Sequence, residues 1–266
     1  MKIDFISDLH LEMNNNPSLS IEEGGDILLL LGDITCLRYF EPHRTDADAR
    51  KNIERFSNLI QGPFGHYKKI LYIPGNHEYY GHNILGVKNS LIENIDDRIV
   101  FHDRITYNQD GVLIIMATLW TNFDNRDTIA MHAASHGMND YRIIGHGEAP
   151  LTPEHTATIH DSHIGYIKSV YENRKENEQV IVATHHAPSF KSHNAVRFGN
   201  DDILMHAYCS DYNNLIGYSN ISYWLHGHTH SNVEYEIGET KVTSAMYGYD
   251  LYDRIPRPMK MGRIEI

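Results

Sequence analysis

Short apolar runs that stop at a metal-ligand side chain recur along this chain, and they constrain its fold more than any other feature. "KIDFIS" runs into Asp8 and His10, "DILLLLG" into Asp33, "KILYIPG" into Asn76, His77 and Glu78, "QVIVAT" into His185 and His186, and "ISYWLHG" into His228 and His230. Short runs rich in Ile, Leu and Val and bounded by Gly or Pro read as buried strands. Helical segments lie between several of them. Residues 47–60 carry Ile53, Phe56, Leu59 and Ile60 at helical spacing, and 152–178 opens with Thr152 and Pro153 as N-cap and first-turn residues. Strands alternating with helices predict an α/β sheet, and in such sheets ligands gather beyond the carboxyl ends of the strands, where every one of these clusters falls.

Towards the C-terminus the pattern changes. "NVEYEIG" and "TKVTSAMYGY" surround the turn-like "GET", and "GRIEI" closes the sequence, so strand follows strand and a second sheet packed on the first is expected. No internal repeat or long linker divides the chain, which predicts one domain over 1–266. The polar segments 121–150 and 189–214 adjoin strand ends and are expected to form an irregular rim over the site.

Composition narrows the function classes. With 23 basic against 35 acidic residues and a net charge of −12, the chain repels a phosphate backbone, so duplex nucleic acid is not an expected partner. Cys36 and Cys209 are too few for a disulfide framework or a zinc knuckle and read as small apolar side chains. The opening "MKIDFISDLH" has no basic leader and apolar core, and the apolar run around "VLIIMA" is far shorter than the ~20 residues that span a bilayer. A cytoplasmic protein without membrane association is the expectation. Oligomeric state is not legible.

The strand-end residues suggest metal chemistry. Asp8 and His10 are two apart, as are His228 and His230, so each pair can aim at one point, and two such pairs suggest two metals. A dinuclear centre needs a shared ligand, and a carboxylate with two oxygens suits that role; Asp33 is the candidate bridge. Asn76 can add a neutral amide oxygen and His185 a further imidazole. Mixed nitrogen and oxygen donors fit two divalent transition ions, Mn, Fe or Zn, better than Ca. Taken alone, "HGHTH" reads as a polar strand face meeting carbonyls or water rather than as a metal site.

In order and spacing, "DLH", "GD", "GNHE", a lone His after a strand and "GHTH" resemble the calcineurin-type metallophosphoesterases, from Asp8 to His230. The resemblance implies a four-layer α/β/β/α sandwich of two mixed β-sheets flanked by helices. It implies Asp8, His10, Asp33 and His230 around one metal, Asp33, Asn76, His185 and His228 around the other, and His77 beside the phosphate as a catalytic residue. His185 is preferred to His186 because it comes first at its strand end, and His226 belongs to the strand and is structural. The implied activity is hydrolysis of a small phosphodiester or phosphomonoester, with the metals polarising phosphoryl oxygens and supplying hydroxide for in-line attack. A nuclease acting on single-stranded nucleic acid and a catalytically silent protein-binding sandwich are the alternatives.

The protein phosphatases of that family read "GDxVDRG" and "RGNHE", whereas this chain has Cys36 and Leu37 for the Asp-Arg pair and Pro74 for the arginine. These changes remove the carboxylate that partners the catalytic His and two phosphate-binding guanidiniums, so protein phosphatase activity is not expected. Arg142 and Asn122 are the candidate substrate contacts in their place, with Arg197 as a further guanidinium. Arg142 could instead pair at the surface with Asp140 or Glu148. His155, His160 and His163 read as covering a half-buried helix face.

Overall fold

A computed structural model describes all residues except 16, 23, 194–198, 200, 201 and 251–257. Arg197 therefore lies outside the described residues. One sheet runs in the order Gly262–Glu265, Lys2–Ile6, Ile27–Leu30, Lys69–Tyr72, Ile99–Phe101. The other runs Glu234–Ile237, Thr240–Ser244, Ile221–His226, Gln179–Thr184, Val112–Ala117, Arg104–Gln109. Interior pairings are parallel, and Gly262–Glu265, Glu234–Ile237 and Arg104–Gln109 join antiparallel at the edges. Both sheets are therefore mixed. "GRIEI" does not extend the second sheet as its position in the sequence suggested; its strand pairs with Lys2–Ile6 at the edge of the first.

The strands are apolar on both faces because both faces are covered. In Val112–Ala117, Ile114 and Met116 join a core with Phe5 and Leu29 of the other sheet, while Leu113, Ile115 and Ala117 pack with Ile164 and Ile167 of helix Pro153–Glu172. This is the two-residue alternation of a strand with a hydrophobic layer on each side. Helix Ala47–Gln61 covers the first sheet. Asp46 caps it by accepting from Ala49 N at 3.1 Å, and its Phe56 packs on Tyr72 and Phe40. Helix, sheet, sheet and helix thus succeed one another. Among the described residues no helix is long and apolar enough to cross a membrane.

Two sequence expectations need correction. Segment 121–150 is not irregular: it contains helix Thr128–Gly137, the helical turn Asp140–Ile143 and a small hairpin of Gly145–His146 with Ala149–Pro150. Asp127 caps the helix by accepting from Ile129 N and Ala130 N. Helix Pro153–Glu172 stops short of 178, and of its histidines only His155 is half-buried. His155 completes a capping box with Thr152. His160 and His163 are buried, His160 donating to Leu119 O at 3.0 Å and His163 Nδ1 accepting from Leu119 N at 3.1 Å. They hold Leu119 in a left-handed conformation, φ 70°, which costs an L-residue about 1–3 kcal/mol unless its surroundings enforce it.

Candidate metal centre

The parallel strands of both sheets end side by side, so loops from five of them converge. Asp8, His10 and His230 form one group of ligand atoms within 4.8 Å of one another, and Asp33, His185 and His228 form a second. Asp33 lies between them, with Oδ2 3.8 Å from His10 Nε2 and Oδ1 3.5 Å from His185 Nε2. Asn76 Oδ1 lies 3.2 Å from His185 Nε2. His10 Nε2 faces His230 Nε2 at 3.1 Å, and His185 Nε2 faces His228 Nδ1 at 3.2 Å.

The approach depends on unusual backbone. Asp8, His10, Asp33, His228 and His230 all have φ between 44° and 71°, a region L-residues enter mainly under functional or packing constraint. The histidines of "GHTH" therefore converge through a left-handed turn beyond the strand, not through the alternation of an extended chain. Glycines make the room. A Cβ on Gly75 would stand 2.2 Å from Asp33 Oδ1, and one on Gly227 would stand 2.9 Å from Asp8 Oδ2. Buried Glu78 ties two of the loops together, accepting from Asp33 N, Ile34 N and Gly75 N at 2.6–2.8 Å and from Tyr72 OH at 2.6 Å.

The donor set fits divalent cations. Burial, with the charge of His77 next, holds His10 down at about 4, and burial does the same to His185. Both are thus neutral near pH 7, the form that ligates metals. His185 Nδ1 donates to Leu31 O at 2.7 Å, which turns the Nε2 lone pair into the cluster. Asp8 Oδ2 accepts from Ser7 Oγ and from His228 N, leaving Oδ1 toward His230 at 3.2 Å. Burial, together with the nearby Glu78 and Asp8, raises Asp33 well above its ordinary range. Cations between these groups would relieve that repulsion and complete the facing lone pairs. His186 stays outside both groups. It donates to Thr118 O at 3.2 Å and stacks on Trp120. His226 is buried against Ser192 Oγ at 2.9 Å.

His77 borders the centre, its Nε2 3.9 Å from Asp33 Oδ2. The absence of an aspartate after the "GD" motif does not leave this ring without a carboxylate, contrary to the sequence expectation. Glu12 Oε1 lies 2.8 Å from His77 Nδ1 and 3.3 Å from His10 Nδ1. Glu12 went unnoticed in the sequence although it follows His10 at the same two-residue spacing that links Asp8 to His10.

A cavity of about 260 Å³ opens on the centre, lined by Asp33, His77, Tyr80, Asp140, Tyr208 and Tyr249 among others. Neither predicted substrate contact lines it. Asn122 follows a backbone already turned left-handed at Leu119 and Trp120, and its N–H donates to Ser210 Oγ. Arg142 is exposed and donates to His136 O, pairing with neither Asp140 nor Glu148. On the turn Asp140–Ile143 it is Asp140 that faces inward. Tyr80 OH lies 3.3 Å from both Asp140 Oδ2 and Asn76 Nδ2, which directs the Asn76 oxygen toward His185. Arg142→Ala is accordingly expected to leave metal content and steady-state kinetics unchanged and stability within about 0.5 kcal/mol of wild type. A selective loss of monoester turnover in that variant would return Arg142 to the site.

Two mixed sheets packed face to face, with carboxylates and imidazoles gathered at their common strand ends, define an α/β sandwich with a candidate metal centre. The calcineurin-like phosphoesterase family profile matches residues 1–232, and the chain belongs to that family. The uncharacterized protein L509 of Acanthamoeba polyphaga mimivirus is 26% identical over 272 residues, covering 92% of this chain and 90% of its own. The phosphopantetheinyl hydrolase PptH of Mycobacterium tuberculosis shares the fold with a TM-score of 0.69 at 15% identity, covering 99% of this chain and 95% of its own. Membership makes this protein a metal-dependent phosphoesterase, and the family implies a dinuclear divalent centre.

Proposed function

We propose that the protein hydrolyses a small phosphodiester, with Asp8, His10, Asp33 and His230 holding one divalent transition ion and Asp33, Asn76, His185 and His228 the other. The observation that carries this reading is the single carboxylate of Asp33 set between two ligand groups beside a cavity that His77 lines. Ions bound there supply Lewis acidity and activate water near neutral pH. His77 then works on the leaving side: Glu12 accepts from Nδ1 and fixes the ring, so that Nε2 can give a proton to the departing oxygen.

Diesters are favoured over monoesters on electrostatic grounds. Among the described residues that line the cavity there is no Lys or Arg, while Asp140 adds a buried carboxyl. Among these described side chains no fixed cation adds to the metals in favour of the extra charge of a monoester dianion. The test is turnover by protein reconstituted with Mn, Fe or Zn on bis-p-nitrophenyl phosphate, p-nitrophenyl phosphate and single-stranded DNA. Preference for the small diester is expected. Preference for the monoester or the DNA would replace this reading, and inactivity with every metal would favour a silent binding protein.

A further inference from the structure

We infer that Tyr249 touches the substrate directly, its hydroxyl donating to a non-bridging phosphoryl oxygen in place of the guanidiniums this chain lacks. The inference rests on the phosphoesterase reading of the site and adds to it a residue outside the motifs that identify the family. Tyr249 lines the cavity beside Asp33 and His77. Its ring stacks on His10, centroids 4.4 Å apart and planes 29° apart, and lies 4.7 Å from His230. Its hydroxyl is 3.3 Å from His77 Nε2. A phenol is both donor and acceptor, so the hydroxyl can turn its proton into the cavity when the Nε2 proton of His77 is directed to the departing oxygen.

The position is pre-organised by the backbone on either side. Buried Asn14 donates to Gly248 O at 2.7 Å and accepts from Asp250 N at 3.1 Å, bracketing Tyr249. Gly248 N donates to Asp8 O at 2.9 Å, tying the same loop to a candidate ligand. A donor fixed before substrate arrives needs no reorganisation when phosphoryl charge develops. Being neutral, it holds an oxygen without favouring the dianion, which agrees with a diester site.

The variant Tyr249→Phe keeps the stacked ring and removes only the hydroxyl. The full-length metal-loaded protein is to be titrated with orthophosphate by calorimetry, with metal content measured by elemental analysis. We expect unchanged metal and orthophosphate binding weakened roughly 10- to 100-fold, the loss of one hydrogen bond to a charged group. Unchanged orthophosphate binding at full metal content overturns the contact, as does loss of metal, which would make Tyr249 part of the support for the ions. If wild-type protein binds orthophosphate and the variant weakens it while no ester is hydrolysed, the contact stands and the proposed reaction fails. If the wild type turns over diesters and the variant binds orthophosphate equally well, the contact alone fails. No orthophosphate binding by the wild-type holo-protein overturns the contact, and the reaction is then judged by diester turnover alone.

Discussion

Asp33→Asn is expected to strip metal from both positions and abolish turnover, the largest effect of any single substitution in this protein. The two carboxylate oxygens face different groups, Oδ2 toward His10 and Oδ1 toward His185. Oδ1 also accepts from His77 N at 2.8 Å, so an asparagine would keep its oxygen there and turn its NH₂ toward His10 and His77. Supporting residues around metals typically cost 10- to 100-fold in affinity, so loss of a shared ligand should exceed ~100-fold. The metal-free protein should respond in the opposite direction. Asp33 has its folded pKa raised above the ordinary 3.8, first by burial and then by Glu78 and Asp8. A raised carboxyl contributes stability below its unfolded value and loses it as pH rises through the folded one, so near pH 7 the wild-type apo-protein carries a cost that asparagine lacks. Metal-free Asp33→Asn should therefore melt higher than metal-free wild type at pH 7, with the gap closing below pH 4. Elemental analysis and thermal melts with and without metal decide the matter. Two full equivalents of metal in an active variant would end the bridging assignment.

The sequence made the strand ends legible because a parallel strand delivers its next residues to one edge of the sheet, whatever the loops do afterwards. Asp8, His10, Asp33, Asn76, His185, His228 and His230 all follow such strands, and the fold brings them together. What could not be read was loop direction. The spacing of His228 and His230 suggested alternation, but the two residues meet the site through left-handed backbone. The charge of Arg142 points to an anion contact, yet on this helical turn Asp140 takes the inward position. Tyr249 lies beyond the end of strand Thr240–Ser244, the kind of position that marks the other clusters, but a phenol is not a usual metal ligand and carries no such signal. The helix at Thr128–Gly137 had readable ends, an Asp127 cap and a closing glycine, hidden among polar residues.

His77→Ala should retain metal and lose turnover by roughly 10² to 10⁴, the range for a positioned acid or base. The geometry offers a competing assignment, because His10, Glu12 and His77 also present ligand atoms within 4.8 Å of one another. The hydrogen bonds of Glu12 favour a supporting role over ligation. Glu12 Oε1 lies against the Nδ1 atoms of both rings, at 2.8 Å from His77 and 3.3 Å from His10. A carboxylate behind a ligating histidine orients the ring and raises its basicity without binding the ion. On the proposed reading Glu12 would serve two rings with different tasks, and its pKa lies well below the ordinary carboxylate range because hydrogen bonds and charge from both outweigh the cost of burial. Glu12→Gln should weaken metal binding by about 10-fold through His10 and lower kcat through His77. At saturating metal, adding Glu12→Gln to His77→Ala should reduce kcat little further, since the ring it positions is gone. Fully multiplicative losses would show that Glu12 acts independently of His77, and a metal-free His77→Ala protein would make His77 a ligand.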